Sequence, residues 1–269
     1  MMTGLRNAAF TSAVLLAVGA GVMSTAHAET VSPNGAPTIQ IGSTNIGNGP
    51  LIANADGSFT LAGTQSGGTP DPTWQLDWNL TIDYDPFING SLSVTNLSTT
   101  ARNFTLAIGL PVTAFMPSLY GGSIIATVFD LNGDHSASVS PSTATGAGPG
   151  IYQGTVDGSP VLNLFAVTLS CVSGTGGCSA TGGDQDGLPG ATIPGPGVTG
   201  AIGTVLKFSL SAGDKVTFDT NFTVVPVTQV PLPASAWLLL AGLGAIGALT
   251  RKRFNLSESF GSRSTLTAA

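Results

Sequence analysis

Few side chains between residues 29 and 230 could do chemistry, and their spacing narrows what that chemistry would be. Asp130-Leu131-Asn132-Gly133-Asp134 sets oxygen ligands at alternate positions, like the opening of an EF-hand calcium loop. The likeness stops there: His135 stands where that loop's glycine belongs, and Pro141 where its bidentate glutamate belongs. Asp184-Gln185-Asp186 and the Asp83/Asp85 pair flanking Tyr84 are further carboxylate clusters, each also readable as a solvated turn. His135 is the sole histidine of this stretch, so a Ser-His-Asp arrangement would have to run through it. Neither a G-x-S-x-G elbow nor an H-E-x-x-H pair occurs. A hydrolase using two aspartates across a cleft needs no further motif. Cys171 and Cys178, the chain's two cysteines, are separated by six residues, all small except Val172. In an oxidising compartment they are expected to form a disulfide. Trp74 and Trp78 would stack on sugars if exposed, but their alternation with polar neighbours assigns them first to a core.

The elements that would carry these residues read as strands. From Trp74 to Tyr84 apolar Trp74, Leu76, Trp78, Leu80, Ile82 and Tyr84 alternate with Gln75, Asp77, Asn79, Thr81 and Asp83. This period of two means one buried and one wet face. Asp85-Pro86 ends the run. A partner strand follows with Leu92 and Val94 inward, then a third with Phe104, Leu106, Ile108 and Leu110, stopped by Pro111. Further strands are expected over Thr38–Ile41, Ser58–Ala62, Ser123–Asp130, Val161–Ser170, Thr204–Leu210 and Lys215–Val225. Ser211-Ala212-Gly213-Asp214 resembles a tight hairpin connection between the last two. Ser140–Gly150 and the Gly-rich stretch 174–200 read as long loops. Nine or ten strands without a helical period predict an all-β fold, an antiparallel β-sandwich, jelly-roll-like or immunoglobulin-like.

Charge bounds the partners. Residues 29–230 hold three cations, Arg102, Lys207 and Lys215, against Glu29 and twelve aspartates, a net −10. A nucleic-acid partner, which needs a basic footprint, is therefore not expected.

The termini carry export signals. Arg6, an apolar stretch from Ala8 to Met23 and Ala26-His27-Ala28 make residues 1–28 a signal peptide, cut by signal peptidase after Ala28. Near the other end, Val230-Pro231-Leu232-Pro233 leads into an uncharged stretch, Ala234 to Leu249, followed by Arg251-Lys252-Arg253. At 1.5 Å per residue, sixteen residues reach roughly 24 Å, a short membrane helix. Trp237 lies near its outer end, and the basic cluster reads as a cytoplasmic stop, leaving 254–269 as a short cytoplasmic tail.

This C-terminal arrangement resembles a PEP-CTERM sorting signal. Pro231 and Pro233 match the two prolines of its signature, with Leu232 in the place of the glutamate. The resemblance implies an exported protein of a Gram-negative, biofilm-forming bacterium. An exosortase-type membrane enzyme would process it near the Pro-x-Pro region, after transient anchoring in the inner membrane. The protein would then reach the cell surface or the exopolysaccharide matrix.

The domain organisation expected is thus 1–28 signal peptide, 29–229 exported β-domain, 230–253 sorting signal with membrane helix 234–249, and 254–269 tail. The function expected is a non-enzymatic surface or matrix protein without a cofactor. One alternative is a carbohydrate- or calcium-binding surface module, with Asp130, Asn132 and Asp134 as the calcium candidates. The other is a secreted hydrolase using paired aspartates.

Overall fold

The computed structural model describes residues 36–46, 51–142, 150–227 and Leu243. Sixteen strands run through the described residues. They are β1 (Thr38–Ile41), β2 (Thr44–Asn45), β3 (Leu51–Ala53), β4 (Phe59–Gly67), β5 (Trp74–Asp83), β6 (Phe87–Asn96), β7 (Arg102–Pro111) and β8 (Ser118–Phe129). After these come β9 (Ser136–Pro141), β10 (Tyr152–Val156), β11 (Ser159–Leu164), β12 (Leu169–Val172), β13 (Ser179–Asp186), β14 (Ile193–Gly195), β15 (Ala201–Leu210) and β16 (Lys215–Pro226).

The strands make two antiparallel sheets around one hydrophobic core. The first runs β11-β10-β15-β7-β1-β2, with β9 taking the edge of β15 beyond β10 and β12 pairing β9. The second runs β13-β8-β16-β6-β5-β4-β3, with β14 taking the rest of the β8 edge. Alternation places the core as the sequence predicts: Leu76, Leu80 and Ile82 of β5 and Val216, Phe218, Phe222 and Val224 of β16 are fully buried. Opposite them lie Phe104, Leu106, Ile108 and Leu110 of β7, and Phe208 and Leu210 of β15.

The two sheets touch at specific points. Phe208 of the first meets Phe218 of the second edge to face, 4.9 Å between ring centroids. Tyr152 donates its hydroxyl to the Asn221 carbonyl at 2.9 Å, which satisfies the one polar atom of a fully buried ring. Gly154 in β10 lets the Phe222 ring reach the first sheet's backbone, since a Cβ there would lie 2.4 Å from that ring.

Three expectations are corrected. The stretch 174–200 is not one long loop but contains β13 and β14, because the whole of β13 finds partners along β8. Its glycines and aspartates have little strand propensity, and pairing supplies what propensity does not. Val161–Ser170 is not one strand: Phe165, at φ 60°, breaks it into β11 and β12. Ser211–Asp214 is not a hairpin turn, since β15 belongs to the first sheet and β16 to the second. Both strands present an apolar face, and the connection lets Phe208 and Phe218 meet across the core instead of side by side. Asn96, fully buried, holds this arch by donating its side-chain amide to the carbonyls of Leu210 (3.2 Å) and Ser211 (2.9 Å).

Two strands the sequence reading passed over, β9 and β10, pair successive stretches of β15. Among the described residues no helix is long and apolar enough to cross a membrane. The expected signal peptide 1–28, tail 254–269 and, apart from Leu243, membrane helix 234–249 lie outside the described residues.

Candidate functional site

The Asp130–Ser136 turn follows β8 and spends its carboxylates on its own backbone. Asp130 accepts the amides of Gly133 (2.8 Å) and His135 (3.0 Å) on its two oxygens. Asn132 accepts the amide of Asp134 at 2.8 Å, and Asp134 accepts both the amide (2.9 Å) and the hydroxyl (3.0 Å) of Ser136. The Asn132 side chain and the Ser136 groups hold the Asp134 carboxyl below the usual carboxylate range. His135 sits at φ 71° and donates Nδ1–H to the Gly176 carbonyl at 2.9 Å. The alternate oxygens that resemble a calcium loop in sequence are therefore turn-forming acceptors. Among the described residues no group of three or more His, Cys, Asp or Glu side chains is assembled to hold a metal ion.

Asp214, which no sequence pattern singles out, packs beside this turn. It is fully buried, one oxygen accepts the Ser211 hydroxyl, and Oδ1 has no hydrogen-bond partner. Burial raises its pKa above the usual carboxylate range, against the Ser211 hydroxyl and the Leu131 amide; the charges of Asp134 and Asp130 add to the rise.

Cys171 and Cys178 form the expected disulfide, with Cα atoms 5.9 Å apart. Cys171 lies in β12 of the first sheet, and Cys178 immediately precedes β13 of the second, so the bond ties the two sheets where the chain crosses between them. Asp184 reinforces that crossing: it stands in β13 and accepts the Phe165 amide at 2.8 Å.

An open depression of about 320 Å³ is lined by Ser123, Ile124, Ile125, Gly183, Asp184 and Gln185. It holds one carboxylate, whereas hydrolysis by paired aspartates uses two. The Asp83/Asp85 pair forms a local turn, with the Asp85 amide donating to Asp83 Oδ1 at 3.0 Å. Trp78 is 7% exposed and Trp74 half-buried against the same core, so neither stands out as a sugar-stacking platform.

The remaining functional feature lies where the chain leaves the β-domain. Strand β16 ends at Pro226, paired with Ser118, and the Val227 amide donates to the Pro117 carbonyl at 2.9 Å. The domain is thus fixed up to residue 227. Residues 229–253 match a family model for the PEP-CTERM protein-sorting motif. The match takes in Val230, Pro231, Leu232 and Pro233 and closes on Arg251, Lys252 and Arg253, the residues whose order suggested the signal. It begins two residues beyond Val227, the last residue of the described β-domain. No curated protein matches the chain.

Proposed function

We propose that this protein is an exported, non-enzymatic component of the cell surface or extracellular matrix, delivered by its C-terminal address. The observation that carries the reading is the sorting motif at 229–253, joined without a spacer to an all-β domain. Such a motif implies processing by an exosortase-type membrane enzyme acting near Pro231 and Pro233. Anchoring in the inner membrane would be transient, and association with exopolysaccharide would follow release. The two sheets read as a sandwich whose load is structural: the carboxylates of the acidic turn close backbone turns, and the disulfide braces an edge. A disulfide also suits an exported protein, because oxidising compartments preserve one.

Intact-mass measurement of the protein from membrane and released fractions tests this. The released form should lack residues 1–28 and the chain beyond about Pro233, and should retain the disulfide. A released protein that still carries residues 234–269 overturns the sorting reading.

A further inference from the structure

The end of the β-domain from which the sorting motif emerges is an apolar, uncharged surface. Three segments build it: Thr113–Ser118 ahead of and into β8, Ile193–Val198 through β14, and the end of β16 with Val227. They are knitted together. Phe115 pairs with Val198, the Ser118 hydroxyl donates to the Pro196 carbonyl, and Val227 is bonded to Pro117. A Cβ on Gly197 would lie 2.0 Å from Met116 Cγ, so the bare glycine is what lets Met116 lie across that loop. Met116 is nonetheless 76% exposed and Val227 38%, and Pro117, Pro194, Pro196 and Pro226 are exposed around them. None of the three segments contains a charged residue.

An exposed apolar patch rimmed by polar surface marks a contact with another apolar body. Its position names the body. The chain leaves this patch at Val227, and even fully extended it spans no more than about 25 Å before the apolar stretch of the motif begins at Ala234. A membrane holding that stretch would lie within this distance of the patch. Methionine and valine suit the headgroup–acyl boundary, and no charge on the three segments has to be desolvated there.

We propose that this end of the β-domain rests on the lipid surface while the precursor is anchored, with Met116 and Val227 as its contact residues. The proposal depends on the reading of the chain as a membrane-anchored precursor. Two carboxylates border the patch: Asp157 accepts the amide of Thr199, the residue after Val198, and Asp85 lies on the β5–β6 turn whose Pro86 carbonyl accepts the Val224 amide. Zwitterionic lipid is accordingly favoured over anionic lipid.

The test uses the full-length precursor in phosphatidylcholine vesicles that contain a lipid with a nitroxide near its headgroup. Met116→Cys, and separately Val227→Cys, carry an environment-sensitive fluorophore; Thr99→Cys is the control. Thr99 is exposed near the Ser211–Asp214 arch, at the end of β16 opposite Val227. Labels at 116 and 227 should be quenched several-fold more than the label at 99, and less so when the vesicles are made anionic. Equal quenching at all three sites, or none at 116 and 227 in a vesicle-bound precursor, overturns the docking alone. Quenching at 116 that requires added processing enzyme would assign the patch to that enzyme and also overturns it. A precursor that does not associate with vesicles removes the anchoring reading, and the docking with it.

Discussion

The centre of the second sheet and the crossing stretch from Phe165 to Gly195 reach the same β geometry by different means. In the centre, β5, β6 and β16 pair over nine to ten residues, and most inward positions hold a buried hydrophobe, with Gly90, Asn96 and Thr220 as the exceptions. In the crossing stretch, β12 and β13 bury no large side chain fully. They are held by ladder bonds to β9 and β8, by the Cys171–Cys178 bond and by the Asp184–Phe165 hydrogen bond. The centre is stabilised by removing apolar surface from water; the crossing is stabilised by tying backbone down. Each mode predicts its own failure.

The largest effect belongs to the centre. Phe218 is fully buried and its ring meets Phe208 of the other sheet at 4.9 Å. Phe218→Ala removes the ring and leaves a cavity between sheets, with an expected loss of about 3–5 kcal/mol. Denaturant unfolding should show it as a lowered midpoint with one cooperative transition, because both sheets share that core. Two separated transitions would break the comparison by showing that the sheets are independent.

The crossing should yield less, and locally. Replacing both cysteines by serine opens a short loop, for which the chain-entropy relation gives about 2–3 kcal/mol. Hydrogen exchange should quicken most in β12 and β13, while β5, β6 and β16 lose only the protection that the lowered global stability removes. Uniform loss of protection would mean that the crossing is as integral as the centre. Asp184→Ala sharpens the same contrast. It removes one acceptor from the Phe165 amide, costing about 1 kcal/mol, and should register chiefly as faster exchange at that amide.

The same division explains what the sequence disclosed. The alternation at Trp74–Tyr84 and Lys215–Val225 is visible because a half-buried strand writes its burial pattern into residue types. Strand β13, Ser-Ala-Thr-Gly-Gly-Asp-Gln-Asp, writes nothing of the kind, since its partner is the β8 edge some sixty residues earlier and its side chains are mostly exposed. Strand β10 did carry a signal. Asp157-Gly158 connects it to β11 in two residues, both at positive φ (49° and 78°), as an Asp-Gly hairpin turn requires. That dipeptide was the cue for a hairpin there. Of the site, the disulfide and the sorting motif were legible because each is local in sequence. Asp214 was not, because its burial depends on an arch between two sheets and on a turn some eighty residues away.

Two aspartates carry the smallest expected effects and oppose each other in pH. Asp157 sits in the exposed β10–β11 turn and accepts the amides of Thr199, Gly200 and Ala201 at 2.8–2.9 Å. Partial desolvation is the largest single influence and pushes its pKa up, but the three amides together outweigh it and hold the carboxyl below its usual range. Its contribution is therefore present above the unfolded carboxylate pKa of about 4 and is lost as pH falls through the lower folded value. Asp214 behaves in the opposite sense. Burial raises its folded pKa, so its contribution is complete below the unfolded value and is lost as pH rises through the folded one. Asp157→Asn should flatten the acid limb of a stability-against-pH curve and leave the other limb alone. Asp214→Asn, which cannot ionise, should flatten the fall toward higher pH. An Asp214→Asn protein with the parent's slope on that side would show that the arch between the two sheets opens enough to hydrate the carboxylate, and that the joint between the sheets is looser than the core it closes.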